Sequence, residues 1–137
     1  MVGRFTIASM NIGQASVASG VSAKMIRHYE EIGLTRAPSR TSSNYRTYSD
    51  NEVHVLRFIK RSRALGFGVP DIKALLGLWQ NKSRPSASVK RIARKHIDEL
   101  QRKIAELESM VRTLEHLERH CHGDHRPECP ILDELAR

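Results

Sequence analysis

Apolar positions recur along this chain at more than one spacing, and the changes of spacing divide it. In "NIGQASVASGVSAKMIRHYEEIGL", Ile12, Ala15 and Val17–Ala18 predict a short helix with one apolar side. "SGVS" breaks it: Gly20 permits a tight turn, and Ser22 is a natural N-cap for a second helix. Met25, Ile26 and Tyr29 then return at helical spacing over residues 23–31, and Gly33 closes the run. Two short helices joined by a Gly-containing turn form a helix-turn-helix pattern. "TRAPSRTSSNYRTYSD" loses that period. Its Pro, Ser and Asn mark turns, while Tyr45, Thr47 and Tyr48 favour strand, which predicts a short hairpin carrying Arg36, Arg40 and Arg46. A second helical pair comes next. Ser49 or Asp50 caps its first helix. Val53, Leu56, Ile59 and Leu65 form its stripe, with Phe58 beside them. "GFGVP" ends that run, Pro70 suits the first position of the next helix, and Trp79 is a core or interface anchor.

After the polar linker "QNKSRPSAS", a long helix is predicted from about Ser86 to near His120. Ala93, Ile97, Leu100, Ile104, Leu107, Val111 and Leu114 alternate at spacings of four and three. That is a heptad seam, with β-branched residues at one core position and Leu at the other, a combination that favours two strands. Glu99–Lys103, Glu108–Arg112 and Glu115–Arg119 place acid before base four residues apart, which supports the helix. A domain of this size has no surface to cover such a helix, so it is expected to dimerise. The pattern leaves parallel and antiparallel pairing open.

Charge adds a partner to this picture. The 137 residues carry a net charge of +8. Residues 1–80 hold eleven basic against five acidic side chains; residues 81–137 hold twelve against ten. The excess therefore lies with the helix-turn-helix and hairpin, and it favours a polyanion there. Lys24, Arg27 and His28 stand off the apolar side of the second helix, where they can reach phosphates or base edges. Arg57, Lys60, Arg61 and Arg63 extend the basic surface. No run reaches the ~18–20 apolar residues of a membrane span. The start of the chain lacks the apolar core of a secretory signal. With only two cysteines, this points to a reducing compartment, the cytoplasm. Met10 begins a second plausible start, which makes residues 1–9 an appendage. No nucleophile–base constellation stands out, so no enzymatic activity is expected.

Both cysteines, Cys121 and Cys129, fall in "RHCHGDHRPECPILDEL". Gly123, Pro127 and Pro130 end the long helix and turn the chain back, and "PILDEL" offers an apolar turn to pin the loop. Four readings compete on spacing alone. Two thiolates suit a soft monovalent ion such as Cu(I). Zinc wants about four N, S or O ligands, which would draw on His122 or His125. The cysteines can instead close a disulfide, or remain ordinary thiols among solvated histidines.

Taken together, "NIGQASVASGVSAKMIRHYEEIGL" and "RTSSNYRTYSDNEVHVLRFIKRSRALGF" resemble the DNA-binding domain of the MerR family of bacterial transcription regulators. "CHGDHRPECPILDEL" is similar to the metal-binding loop of its copper-responsive branch, the CueR and HmrR type. The resemblance spans residues 10–135. It implies a mainly α fold: a winged helix-turn-helix domain over 10–80, a linker and antiparallel coiled-coil dimerisation helix over 81–120, and a metal-binding loop with a C-terminal turn over 121–137. It implies a homodimer on double-stranded promoter DNA that, on binding Cu(I), or Ag(I) or Au(I) as mimics, reshapes the promoter so that RNA polymerase can open it. Copper export or detoxification genes are the usual targets. Matching DNA-contact positions are Lys24, Arg27 and Tyr29 on the recognition helix, Arg40, Asn44, Tyr45 and Arg46 in the wing, and Arg63 beyond it. Cys121 and Cys129 match the two thiolate ligands. Ser86 matches a position that is cysteine in the zinc-responsive branch and serine in the monovalent one. A divalent or thiol-redox regulator of the same fold is the alternative; a copper chaperone or thiol exchange protein is the alternative from another class.

Overall fold

The computed structural model describes residues 9–137, so the expected appendage lies, but for Ser9, outside the described residues. These residues form six helices and one two-stranded antiparallel sheet: α1 (Ile12–Ser19), α2 (Ala23–Glu31), β1 (Ser39–Arg40), β2 (Arg46–Thr47), α3 (Asp50–Ala64), α4 (Val69–Gln80), α5 (Ser86–Arg119) and α6 (Pro130–Ala136). The chain divides into two compact units, one ending at Val89 and one spanning Lys90–Arg137.

In the first unit, α1 opens on a capping box that satisfies two orphan amides. Asn11 Oδ1 accepts from the Gln14 amide and Gln14 Oε1 accepts from the Asn11 amide, both at 2.8 Å. The turn to α2 obeys the expected chemistry. Gly20 takes φ 77 and its N–H donates to Ser16 O, while Ser22 Oγ accepts from the Met25 amide at 3.2 Å. Ser19 Oγ, buried, accepts from the Val21 amide and fastens the turn from inside. Val17 departs from the expected apolar side. It is 87% exposed, because two residues from buried Ala15 is the opposite side of a helix.

The hairpin pairs Ser39 with Thr47 and Arg40 with Arg46. Its turn closes by the Thr41 amide donating to Tyr45 O and the Asn44 amide to Thr41 O, with Asn44 at φ 69. A left-handed residue is needed there, and asparagine tolerates it better than most. Met10 and Tyr48 exchange backbone hydrogen bonds of 2.9 and 2.8 Å, so the strand leaving the hairpin is tied to the residues entering α1.

Ser49 caps α3 in a second capping box with Glu52. Val53, Leu56 and Ile59 bury as expected, but the stripe ends on Ser62, whose hydroxyl donates to Phe58 O. Leu65 is the C-cap and stays exposed: the helix stops at Ala64, so the next apolar position never forms on it. Pro70 is the second residue of α4, after Val69. Ile72 and Leu76 complete the core with Ala15, Val21, Ile26, Tyr29, Leu34 and Tyr48. Phe58 and Trp79 stack at 4.5 Å between ring centres, joining α3 to α4.

The second unit comprises the long helix from Lys90 onward, a loop and α6. Ile97, Leu100, Ile104, Leu107, Val111 and Leu114 are each between 37% and 59% exposed on α5 in the single chain. The helix ends at Arg119, and Gly123 turns the chain at φ 67. Cys129 is the N-cap of α6 and Pro130 its first residue, where a missing N–H costs nothing.

Candidate functional site

Lys24, Arg27 and His28 all point to solvent from α2, because Ile26 and Tyr29 take its buried side. Arg27 shares a groove with Arg40, Asn44, Tyr45 and Arg46 of the hairpin and with Asn11 and Gln14 at the start of α1. Helix and wing thus share one groove, lined by Arg27, Arg40 and Arg46 and by the apolar Met10 and Ile12. Tyr45 is 72% exposed at its rim, and Arg40 Nη1 donates to Asn44 O, which stiffens the turn. Arg63 is exposed in the last turn of α3, favourably placed against the helix dipole.

Of the expected DNA-contact residues, Tyr29 lies off the solvent-facing surface, and Arg46 lines the groove but is tied to a carboxylate. Tyr29 is 4% exposed and belongs to the core, since its spacing from Ile26 puts both on the packed side of α2. Arg46 is half-buried: its Nη1 lies 2.7 Å from Glu30 Oε1. Glu30 Oε2 accepts from the Tyr48 hydroxyl at 2.8 Å. Burial first, then the bond to the Glu30 carboxylate, pushes the Tyr48 hydroxyl up to about 12. Glu30 was not singled out from sequence, though a signal existed. An acid in the last turn of a helix opposes the helix dipole, so it needs another reason to be there. Arg57 was expected to extend the basic surface. It is exposed, and its Nε and Nη2 also donate to Ala18 O at 3.0 and 2.8 Å, which satisfies a carbonyl near the end of α1.

In the second unit, Cys121 directly follows the helical turn, its amide donating to Glu118 O. Cys129 caps α6 without a hydrogen bond from its side chain. Both are free thiols and both are half-buried. Asp124 accepts from the amide and Nε of Arg126, each at 2.9 Å, and holds the loop between them. His122 and His125 are exposed. His116 and His120 lie one turn apart, with rings 4.3 Å apart. His120 Nδ1 is 2.7 Å from His116 O, and a carbonyl only accepts, so that nitrogen carries the proton. Among the described residues, no three or more His, Cys, Asp or Glu side chains gather as a set able to hold a metal ion. Two thiols are, by their chemistry, donors of the kind a soft ion takes. Ser86 is exposed and is the first helical residue of α5 rather than the cap before it.

The chain matches the family described as "MerR HTH family regulatory protein" over residues 10–78 and that described as "MerR, DNA binding" over residues 53–117. It is 61% identical over 128 residues to the "HTH-type transcriptional regulator HmrR" of Sinorhizobium medicae (strain WSM419), covering 93% of this chain and 87% of that one. It is 36% identical over 127 residues to the "HTH-type transcriptional regulator CueR" of Salmonella typhimurium, covering 93% and 92%. Among solved structures, the regulator PbrR691 from Ralstonia metallidurans CH34, in complex with lead(II), superposes with a TM-score of 0.81 at 31% identity, over 92% of this chain and 98% of that one. The chain belongs to the MerR family of DNA-binding transcription regulators and is not an enzyme. No helix among the described residues is long and apolar enough to cross a membrane.

Proposed function

We propose that this chain is a cytoplasmic, heavy-metal-responsive transcription activator that acts as an antiparallel coiled-coil homodimer and takes Cu(I), with Ag(I) or Au(I) as mimics, on Cys121 and Cys129. The observation that carries the reading is the pair of free, half-buried thiols at the two ends of one short loop. Serine at position 86 and the HmrR and CueR relatives support it. Lys24 and Arg27 of α2 and Arg40, Asn44 and Tyr45 of the wing meet promoter DNA, with Arg63 on the backbone beside them. Holding an ion from both ends, Cys121 and Cys129 fix the loop between α5 and α6. The two states of the protein then favour different promoter shapes, and RNA polymerase opens the one favoured by the loaded state. Genes for copper export or detoxification are the expected targets.

A second reading has its own support. The lead(II) complex of PbrR691 makes a divalent ion the competing inducer. An anaerobic competition titration of Cu(I), Zn(II) and Pb(II) against calibrated chelators, on wild type and Cys121→Ser, separates the two. One tightly held Cu(I) per subunit, lost in the variant, with the divalent ions weak, is the expected result. Tight Zn(II) or Pb(II) with ordinary Cu(I) affinity moves the assignment to the divalent sensor.

A further inference from the structure

Glu30 is a buried carboxylate in the DNA-facing region, its side chain only 8% exposed. Both of its oxygens are occupied, Oε1 by Arg46 and Oε2 by Tyr48, and both partners come from the second half of the hairpin. Arg46 lies in β2 and Tyr48 directly follows it. The strand is also tied by the Met10–Tyr48 bridge, which leads to α1 and not to α2. A two-stranded hairpin of two residues per strand cannot hold its own position.

We infer that Glu30 is the positioning residue that sets the wing against the recognition helix, and that Arg46 serves this clamp rather than a DNA phosphate. Tyr48 anchors the strand to the core, and Arg46 fixes the direction in which the hairpin leaves it. The spacing between the Arg27 and Arg40 guanidinium groups across the groove is then set by one carboxylate. Arg40 is exposed and donates to a backbone carbonyl rather than to a carboxylate, so its charge remains available to phosphate. The inference rests on the reading that α2 and the wing meet DNA together.

Phosphate contacts and clamps differ in salt dependence. Each phosphate contact adds about 0.9 to the slope of log affinity against log salt, whereas a residue acting through geometry adds little. The experiment measures promoter affinity over a salt series for wild type, Arg40→Ala, Arg46→Ala, Glu30→Gln and the double variant Glu30→Gln/Arg46→Ala. Arg46→Ala is expected to weaken binding roughly tenfold, the size of one lost charge-assisted bond, while leaving the slope unchanged. Glu30→Gln weakens it similarly, the double variant is no worse than Arg46→Ala, and Arg40→Ala lowers the slope by about 0.9. A slope loss for Arg46→Ala equal to that for Arg40→Ala, or losses that add in the double variant, overturns the clamp. Amide exchange on the free protein gives a readout independent of DNA. Glu30→Gln should speed exchange at the Thr41 and Tyr48 amides and leave the α3 amides unchanged; equal protection in the wing overturns the inference even if promoter binding itself fails.

Discussion

Leu107→Ala tests the dimer at its seam. Leu107 is 59% exposed in the single chain, on the same stripe as Ile104, Val111 and Leu114. Full burial of a leucine side chain contributes about 1.5–3 kcal/mol, and alanine keeps only one of its four side-chain carbons. Removing three-quarters of a side chain that is three-fifths available to a partner costs about 1 kcal/mol per copy. In a two-fold dimer the change occurs twice, so association weakens by about 2 kcal/mol, or roughly 30-fold in the dissociation constant. Alanine is the better helix former, so a loss of association cannot be attributed to a weaker α5. Sedimentation velocity over a dilution series measures the constant, with Glu106→Ala, on the polar side beside it, as the control. A shift smaller than about twofold in Leu107→Ala, or an equal shift in the control, would refute the seam as the dimer contact.

Three further outcomes rest on particular contacts. Tyr48 has a proton held more tightly in the folded state, up to about 12 against 10 when free, so its contribution is fully present below pH 10 and is lost as pH rises toward 12. Tyr48→Phe should flatten the alkaline limb of a pH series of urea unfolding; an unchanged limb would assign the loss to other groups. Arg57→Ala should lower the stability of the first unit by about 1–2 kcal/mol in denaturant unfolding, since it removes both hydrogen bonds to Ala18 O. Ser49→Ala removes the cap on the Glu52 amide and should cost about 1 kcal/mol, read as a lower unfolding midpoint at unchanged m-value.

Periodicity and turn chemistry were enough to determine the elements of this protein. Gly20 and Ser22 place the break between α1 and α2 because a left-handed backbone and an N-cap are local demands, met by one or two residues. The heptad run fixes α5 because its signal repeats over many turns. The two thiols, and their position beyond a helix that Gly123 and the prolines end, were also legible. What each polar side chain does was settled by tertiary packing alone. Arg27, Arg40, Arg46 and Arg57 are equivalent as charges in the chain. Only the fold brings Glu30 to Arg46, sixteen residues away, and Ala18 O to Arg57, thirty-nine away; of the four, Arg46 alone meets a carboxylate and is half-buried. Val17 and Leu65 are the apolar counterpart, exposed because helix phase and helix length decide what reaches the core. A sequence states which residues can carry charge or bury surface; a carboxylate from a distant segment decides which charges remain free to meet a partner.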